Sequence, residues 1–512
     1  MRRSLPIFSV WLFACGAPGA GAQDAPASND GAAIPACISS SQLAAWQAEI
    51  DQFDGGYRPT GSPAHEAYIA RLSDEMSALG VDVHLEPFSF LAWTPASWSL
   101  ELLDGTGAIE LSGYLPYSGS TGPLGVTTGV VYVPASAVPL DANALAQALV
   151  DPVAWNQALT TRLTAALAAL RLAGKIVVFE VPEVVVSLDT LTGPQVYVND
   201  PLHTLPASGA TIERSDLAAM LIVPAMLDAF AAAGAAGAVG VLPVPAEAAR
   251  GEYAPFFGIT TPNLPAVYVD RVHGRVLADA IAGNPLLLSH LTLDATIGLA
   301  TSENLIGVLP GAADEEILIG SHTDGPNSLE DNGPAAILGL ASCLATAERP
   351  RTVRFVLSGG HFVASQGMAS YVTTHATELA HHALAAIEIE HLGAREWSET
   401  SPGVMSLTGQ PEIQLVSTWP NPPLVAAGVA FASQFPRSIV GGPPILGEGQ
   451  NFRVVPLVQF ITMPRYLLLG HLPAITTQFT DYDLVERQVA GFLAMERALA
   501  IAPADELGVV AH

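Results

Sequence analysis

The sequence is poor in charge, in basic side chains and in cysteine. Only 13% of its 512 residues are charged, and 48 acidic residues face 20 basic ones. Taking Arg2 and Arg3 away with the leader described below leaves 18 basic against 48 acidic, a net of −30. Such a surface repels phosphate backbones and anionic lipid, which argues against a nucleic-acid-binding role. Of the three cysteines, Cys15 falls in the leader, so only Cys37 and Cys343 remain, too few for a structural zinc site with four thiolates. Cys343 lies in an apolar stretch and reads as a buried structural thiol, although export would permit a disulfide. No Gly-x-Ser-x-Gly elbow occurs, which removes the usual serine-hydrolase reading. After the leader no apolar run of membrane length is found.

What is abundant is apolar: half the residues are hydrophobic, with 46 glycines and 40 prolines. That composition suits a large buried core rather than disorder, and the length implies more than one domain. Residues 1–22 have the form of a signal peptide. Arg2 and Arg3 supply a basic start, Leu5 to Ala14 an apolar stretch, and Ala20-Gly21-Ala22 a cleavage site. The mature protein is then secreted or periplasmic; the alternative is a lipid anchor through Cys15. Residues 23–38 read as a flexible leader.

Periodicity sketches the rest. Ser41 to Gly80 reads as helical, interrupted by the turn-rich Gly55 to Pro63. Val81 to Phe90 and Trp98 to Leu103 read as two separate strands. Between 123 and 292, strand-like runs (129–133, 175–181, 238–242) alternate with Ala-rich helices near 141–173 and 216–235, and 183–213 reads as loop. From 304 the alternation of strands (316–320, 351–357, 384–390, 455–462) with helices (333–347, 366–374, 423–435, 483–501) is regular. This predicts an α/β fold whose mixed, mostly parallel sheet carries helices on both faces. Ligands of such sheets gather at the carboxyl ends of the strands.

The polar clusters fall at those ends. His322-Thr323-Asp324 closes one strand; a His can offer one ring nitrogen to a metal while a carboxylate fixes the other. Asp331, in Glu330-Asp331-Asn332-Gly333, stands just before an apolar helix and suits either a helix cap or a carboxylate ligand. Ser358-Gly359-Gly360-His361-Phe362 ends the next strand. Glu388-Ile389-Glu390-His391 ends another, where period-two alternation puts both glutamates on one face and His391 on the other. Two acids in an apolar strand are costly to bury without a cation. His471 follows the last core strand. Trp397, Arg453, Arg465 and Tyr466 stand near strand ends, where pocket lining and surface packing explain them equally well.

Together these motifs resemble the co-catalytic zinc aminopeptidases (the bacterial leucyl-aminopeptidase type). The likeness also takes in Asn304 to Leu357 and Arg58-Pro59-Thr60-Gly61-Ser62-Pro63. It implies a discontinuous catalytic domain over 39–122 and 297–505. Ala173 to Val178, Ala233 to Ala238 and Leu264 to Val267 make 123–292 similar to an inserted protease-associated domain. The resemblance implies zinc on His322, Asp331 and Glu390, with Asp331 as bridging ligand, Asp324 behind His322, and His471 as a further ligand. The family's adjacent pair of glutamates falls on His361-Phe362, and Phe362 cannot bind zinc. One zinc rather than two is therefore expected, with His361 as general base or as ligand. The implied activity is hydrolysis of a peptide or small amide; a non-catalytic, receptor-like protein is the alternative. Glutaminyl cyclisation, on a related fold, lacks a glutamate here. Oligomeric state is left open.

Overall fold

The computed structural model describes residues 37–50, 57–140, 152–207, 209–251, 263–443, 445–452, 454–465 and 478–508. The proposed signal peptide, Cys15, Arg453, Tyr466 and His471 lie outside them. The described chain builds one 15-stranded mixed sheet. In spatial order it runs Gly113–Tyr114, Ala266–Val269, Gly237–Val241, Ile176–Glu180, Val126–Val133 and then Leu288–Leu309. It continues through Arg351–Ser358, Ala313–His322, Ala383–Ile389, Leu457–Thr462, Gln414–Thr418, Ser438–Gly441 and Gln195–Asn199.

The four strands that carry the polar clusters, Arg351–Ser358, Ala313–His322, Ala383–Ile389 and Leu457–Thr462, are mutually parallel. Ala313–His322 is central: the chain leaves it through the helix Gly333–Leu344 to Arg351–Ser358 on one side, then returns to Ala383–Ile389 on the other. That reversal is the topological switch point at which open α/β sheets form their crevice. Helix Gly333–Leu344 is apolar almost all round and buried, as a helix sandwiched between layers must be. Helix Tyr482–Ile501 packs against it, with Asp481 accepting from Leu484 N–H at 3.1 Å as its cap.

The mostly parallel α/β architecture matches the expectation, and the differences have local causes. The two strands expected at 81–90 and 98–103 are one strand, Asp82–Leu102, paired antiparallel with Leu288–Leu309. The apparent break is a register shift between Pro95 and Ser97, where proline, having no N–H, fits a bulge rather than ending the strand. The segment read as loop, 183–213, holds a helix, Leu188–Thr192, and three short strands. One of these, Gln195–Asn199, edges the core sheet beside Ser438–Gly441. Strands of three to five residues are too short to show a period.

Cys343 is not a free thiol: it is disulfide-bonded to Cys37, with Cα atoms 5.1 Å apart and a sequence separation of 306. The bond ties the segment before helix Ser40–Ile50 to the core helix. A cross-link closing so long a loop is expected to contribute about 2–5 kcal/mol. Cys343→Ser should lower the urea midpoint accordingly, and reductant should shift the wild type to the same value.

A second stability prediction concerns Glu496, buried on helix Tyr482–Ile501. Burial, opposed by Arg497 and Arg349, raises its carboxyl to about 7. The unfolded chain releases this proton near 4.5 and the folded chain near 7, so the native state binds more protons in between. Stability contributed at this position therefore falls as pH rises from about 4.5 to 7. Glu496→Gln should be neutral at pH 4.5 and more stable than wild type by about 1–3 kcal/mol at pH 8 in urea unfolding.

Candidate metal centre

His322 ends its strand fully buried. Its Nδ1 is 2.8 Å from the backbone oxygen of Asp324, so Nδ1 carries the proton and Nε2 carries the lone pair. The expectation that the Asp324 carboxylate would do this is corrected. That carboxylate instead accepts from Thr60 Oγ1 at 2.6 Å and from the backbone N–H of His361 at 3.1 Å. Asp324 thus orients His322 through its carbonyl and fixes the His361 turn through its side chain. Burial, with the neighbouring charges of His361 and His391, holds the His322 imidazole well below its usual range and keeps it neutral.

Asp331 is also placed differently from the expectation. Its carboxylate is gripped by Arg58, Nε to Oδ2 at 2.7 Å and Nη2 to Oδ1 at 2.5 Å, with both side chains fully buried. The guanidinium also lies 4.5 Å over the Tyr68 ring, and Arg58 and Gly325 exchange backbone hydrogen bonds. The bidentate arginine takes one lone pair on each oxygen, and neither of the ligand groups among the described residues includes Asp331. The residue beside it, Glu330, faces the site instead.

Glu390 and His391 follow the strand Ala383–Ile389. Alternation would send them to opposite faces, but His391 has φ +55°, a left-handed conformation that costs a non-glycine residue about 1 kcal/mol or more. The turn brings its Nε2 to 3.8 Å from Glu390 Oε2 and 3.2 Å from Glu330 Oε2. Thr462 backbone oxygen accepts from His391 Nδ1 at 2.6 Å and fixes the tautomer. The Asn332 side chain holds the two segments together, accepting from Leu392 N–H at 2.8 Å and donating to Leu392 oxygen at 2.9 Å. Glu390 Oε1 accepts from Glu448 N–H at 2.7 Å and Gln459 Nε2 at 3.0 Å. Gly447, at φ +65°, is required there, since a Cβ would run into the Glu390 carboxylate. Burial raises the Glu390 carboxyl to about 7 despite His391 and His361.

His361 stacks on His322 with ring centroids 4.1 Å apart. Its Nδ1 meets Glu448 Oε2 at 2.6 Å, and Glu448 is held by Ser358 and Ser365 hydroxyls at 3.0 and 2.8 Å. Burial alone would lower His361, but the Glu448 hydrogen bond and charge, with Glu390 and Glu330, raise it to about 9. Glu388 behaves unlike Glu390. Fully buried, without a hydrogen-bond partner among the described residues, it is driven well above the carboxylate range by burial and stays protonated.

Among the buried atoms without a hydrogen-bond partner among the described residues are His322 Nε2, His391 Nε2, Glu390 Oε2 and Glu330 Oε2, the His391 and Glu330 atoms facing each other as an ion pair at 3.2 Å. Stranded polar atoms in a core are expensive, and here they converge. Ligand atoms of His322, Glu390 and His391 lie within 4.8 Å of one another, and so do those of His322, Glu330 and His361. His322 Nε2 is 3.8 Å from Glu390 Oε2. Tetrahedral zinc with arms of about 2.0–2.1 Å spaces its ligands roughly 3.3 Å apart, so each 3.8 Å separation to Glu390 would close by about half an ångström to seat the ion. Two imidazoles and a carboxylate are a donor set suited to catalytic zinc. Of the expected ligands, His322 and Glu390 come together and Asp331 is occupied by Arg58. Glu330, His391, Glu448 and Arg58 were not singled out. Glu330 and His391 adjoin chosen residues, and Arg58 opens the Arg58-Pro59-Thr60-Gly61 motif, but Glu448 sits in a short 3₁₀ turn with no pattern to reveal it.

The sequence matches no family model and no curated protein. Its fold is similar to that of solved structures at low identity. A zinc aminopeptidase from Bacillus subtilis, BSAP, gives a TM-score of 0.61 at 14% identity, covering 92% of this chain and 98% of that one. A peptidase M28 precursor from Shewanella amazonensis gives 0.60 at 16%, covering 90% and 96%. An aminopeptidase from Aneurinibacillus sp. strain AM-1 gives 0.55 at 16%, covering 89% and 93%. No described helix is long and apolar enough to cross a membrane. The chain therefore has a zinc-aminopeptidase-like fold, over nearly its whole length.

Proposed function

We propose that the protein is an exported, metal-dependent hydrolase of amide or peptide bonds, aminopeptidase-like, working with one zinc on His322, Glu390 and His391. The observation that carries this is the convergence of their three ligand atoms, within 4.8 Å of one another in a buried setting. A zinc ion there would supply a Lewis acid that makes water nucleophilic near neutral pH. The chain's own groups hold and move protons around it. Asp324 carbonyl and Thr462 carbonyl accept from Nδ1 of His322 and His391 and so turn both Nε2 atoms inward. His361, pinned through Nδ1 by Glu448, presents its other nitrogen beside them as the proton-handling group, which replaces the glutamate of the resembled family. Glu330 is a further carboxylate facing His391.

The disulfide supports export, since such bonds persist in oxidising compartments. We read 123–292 as an inserted protease-associated-like unit, supported by a largely separate hydrophobic cluster around Val177, Phe230 and Tyr268. The alternative is a receptor-like protein that kept the fold. It draws on Phe362 in place of a ligand and on Asp331 being engaged by Arg58. Chelation decides between them. Dialysis against a strong chelator should abolish hydrolysis of an amino-acid amide library, and one equivalent of zinc should restore it. A zinc-loaded protein without turnover on any member would favour the receptor.

A further inference from the structure

A second cavity, of about 330 Å³, lies beyond the metal centre, where the 188–214 segment meets the core. The chain connects the two places closely. Thr462, which holds His391, is followed by Met463 and Arg465 in the cavity wall, and Glu390-His391 leads within six residues to Glu396 and Trp397. Trp397 and Arg465, ambiguous in sequence, thus both line a pocket.

Its wall has an unusual mixture. Leu188, Leu191, Ile413, Leu415 and Met463 form an apolar body, and three guanidiniums, Arg214, Arg437 and Arg465, stand among Glu213, Glu396 and Glu412. Arg437, 4% exposed, has φ +62°, a left-handed backbone. Its Nη1 donates to Pro411 oxygen at 2.8 Å and its Nη2 to Glu396 at 2.7 Å, while its Nε has no partner among the described residues. Arg465 pairs with Glu213 toward the more open side, its side chain 40% exposed. Glu412 is raised to about 7, first by burial and then by the charge of Glu396, so it is substantially protonated at neutral pH and below. Outside the cavity wall, Glu183 also acts on Arg465 through its charge.

We propose that this cavity binds a small ligand with a single carboxylate on an apolar body. The carboxylate takes the donors of Arg437 and Arg465, and the body lies against the leucines. A buried, unpartnered guanidinium N–H beside an apolar wall selects an anion over its neutral isostere, because a charge-assisted bond is lost with the amide. A free N-acylated amino acid and the carboxyl end of a peptide share this chemistry.

Isothermal titration of the full-length protein at pH 6.5 separates these outcomes. N-acetyl-leucine is expected to bind at least tenfold tighter than N-acetyl-leucinamide, and Arg437→Gln should abolish the difference. Arg465→Gln, at a half-exposed position, serves should the buried variant fail to fold; it should cut the preference at least threefold. Equal affinity of acid and amide, or an undiminished preference in Arg465→Gln, overturns the proposal. A Leu-Gly-Leu peptide distinguishes the sources: amidation of its carboxyl end weakens its binding tenfold if peptide ends are taken, and leaves it unchanged if only the free acylated amino acid is. Run on chelator-treated protein, in which the proposed hydrolysis is silent, none of these titrations depends on turnover, so their failure is separate from failure of the hydrolase reading.

Discussion

His322→Ala is expected to lower kcat/KM for amide hydrolysis by about 10³-fold or more, roughly 4 kcal/mol of transition-state stabilisation, and to leave the purified protein without stoichiometric metal. His322 occupies the centre of the cluster: its Nε2 reaches toward Glu390 and its ring stacks on His361. Both candidate ligand groups contain it, so no rearrangement of the others replaces it. The partner prediction separates the two parts of Asp324. Because its backbone carbonyl, not its carboxylate, fixes the His322 tautomer, Asp324→Asn should retain metal. It should cost about tenfold in kcat, through the loosened His361 turn that the carboxylate anchors. Metal loss in Asp324→Asn equal to that in His322→Ala would show that the carboxylate is needed to hold the site together.

The second large effect concerns stability. Arg58→Met strands the Asp331 carboxylate in a fully buried place and is expected to destabilise the fold by about 3–5 kcal/mol. The double variant Arg58→Met/Asp331→Asn removes the unmatched charge and should recover most of that loss. The pair also links the segment before helix Pro63–Ala78 to the run 330–332, whose Asn332 holds Leu392 beside His391. Breaking it should therefore loosen the metal site indirectly. If Asp331 were instead a zinc ligand, Arg58→Met would be mild in zinc-loaded protein and Asp331→Asn alone would release the metal. Denaturant titration with and without zinc separates the two behaviours.

Much of this was legible in the sequence because it is periodic. The strands and helices after 304 announce themselves through apolar runs and alternation, and helix 366–374 falls where its pattern puts it. Strand ends point to His322, His361 and Glu390 by position alone. What was not legible depends on geometry between distant segments. Whether Asp331 faces a metal or an arginine is decided by Arg58, 273 residues earlier. Alternation misplaced His391 because it assumes an extended backbone, and the left-handed turn at that residue breaks the assumption. Glu448 reaches the site from a short turn that has no period. The gap left between 90 and 98 is bridged by a single strand whose register shifts between Pro95 and Ser97, a bulge that pattern alone does not reveal.

The most direct measurement is the metal content of purified protein in two single variants beside wild type. One zinc per chain is expected in wild type and in Asp331→Asn, with content falling to near zero in His391→Ala. Zinc retained in His391→Ala and lost in Asp331→Asn would contradict the assignment and return the aspartate to the metal.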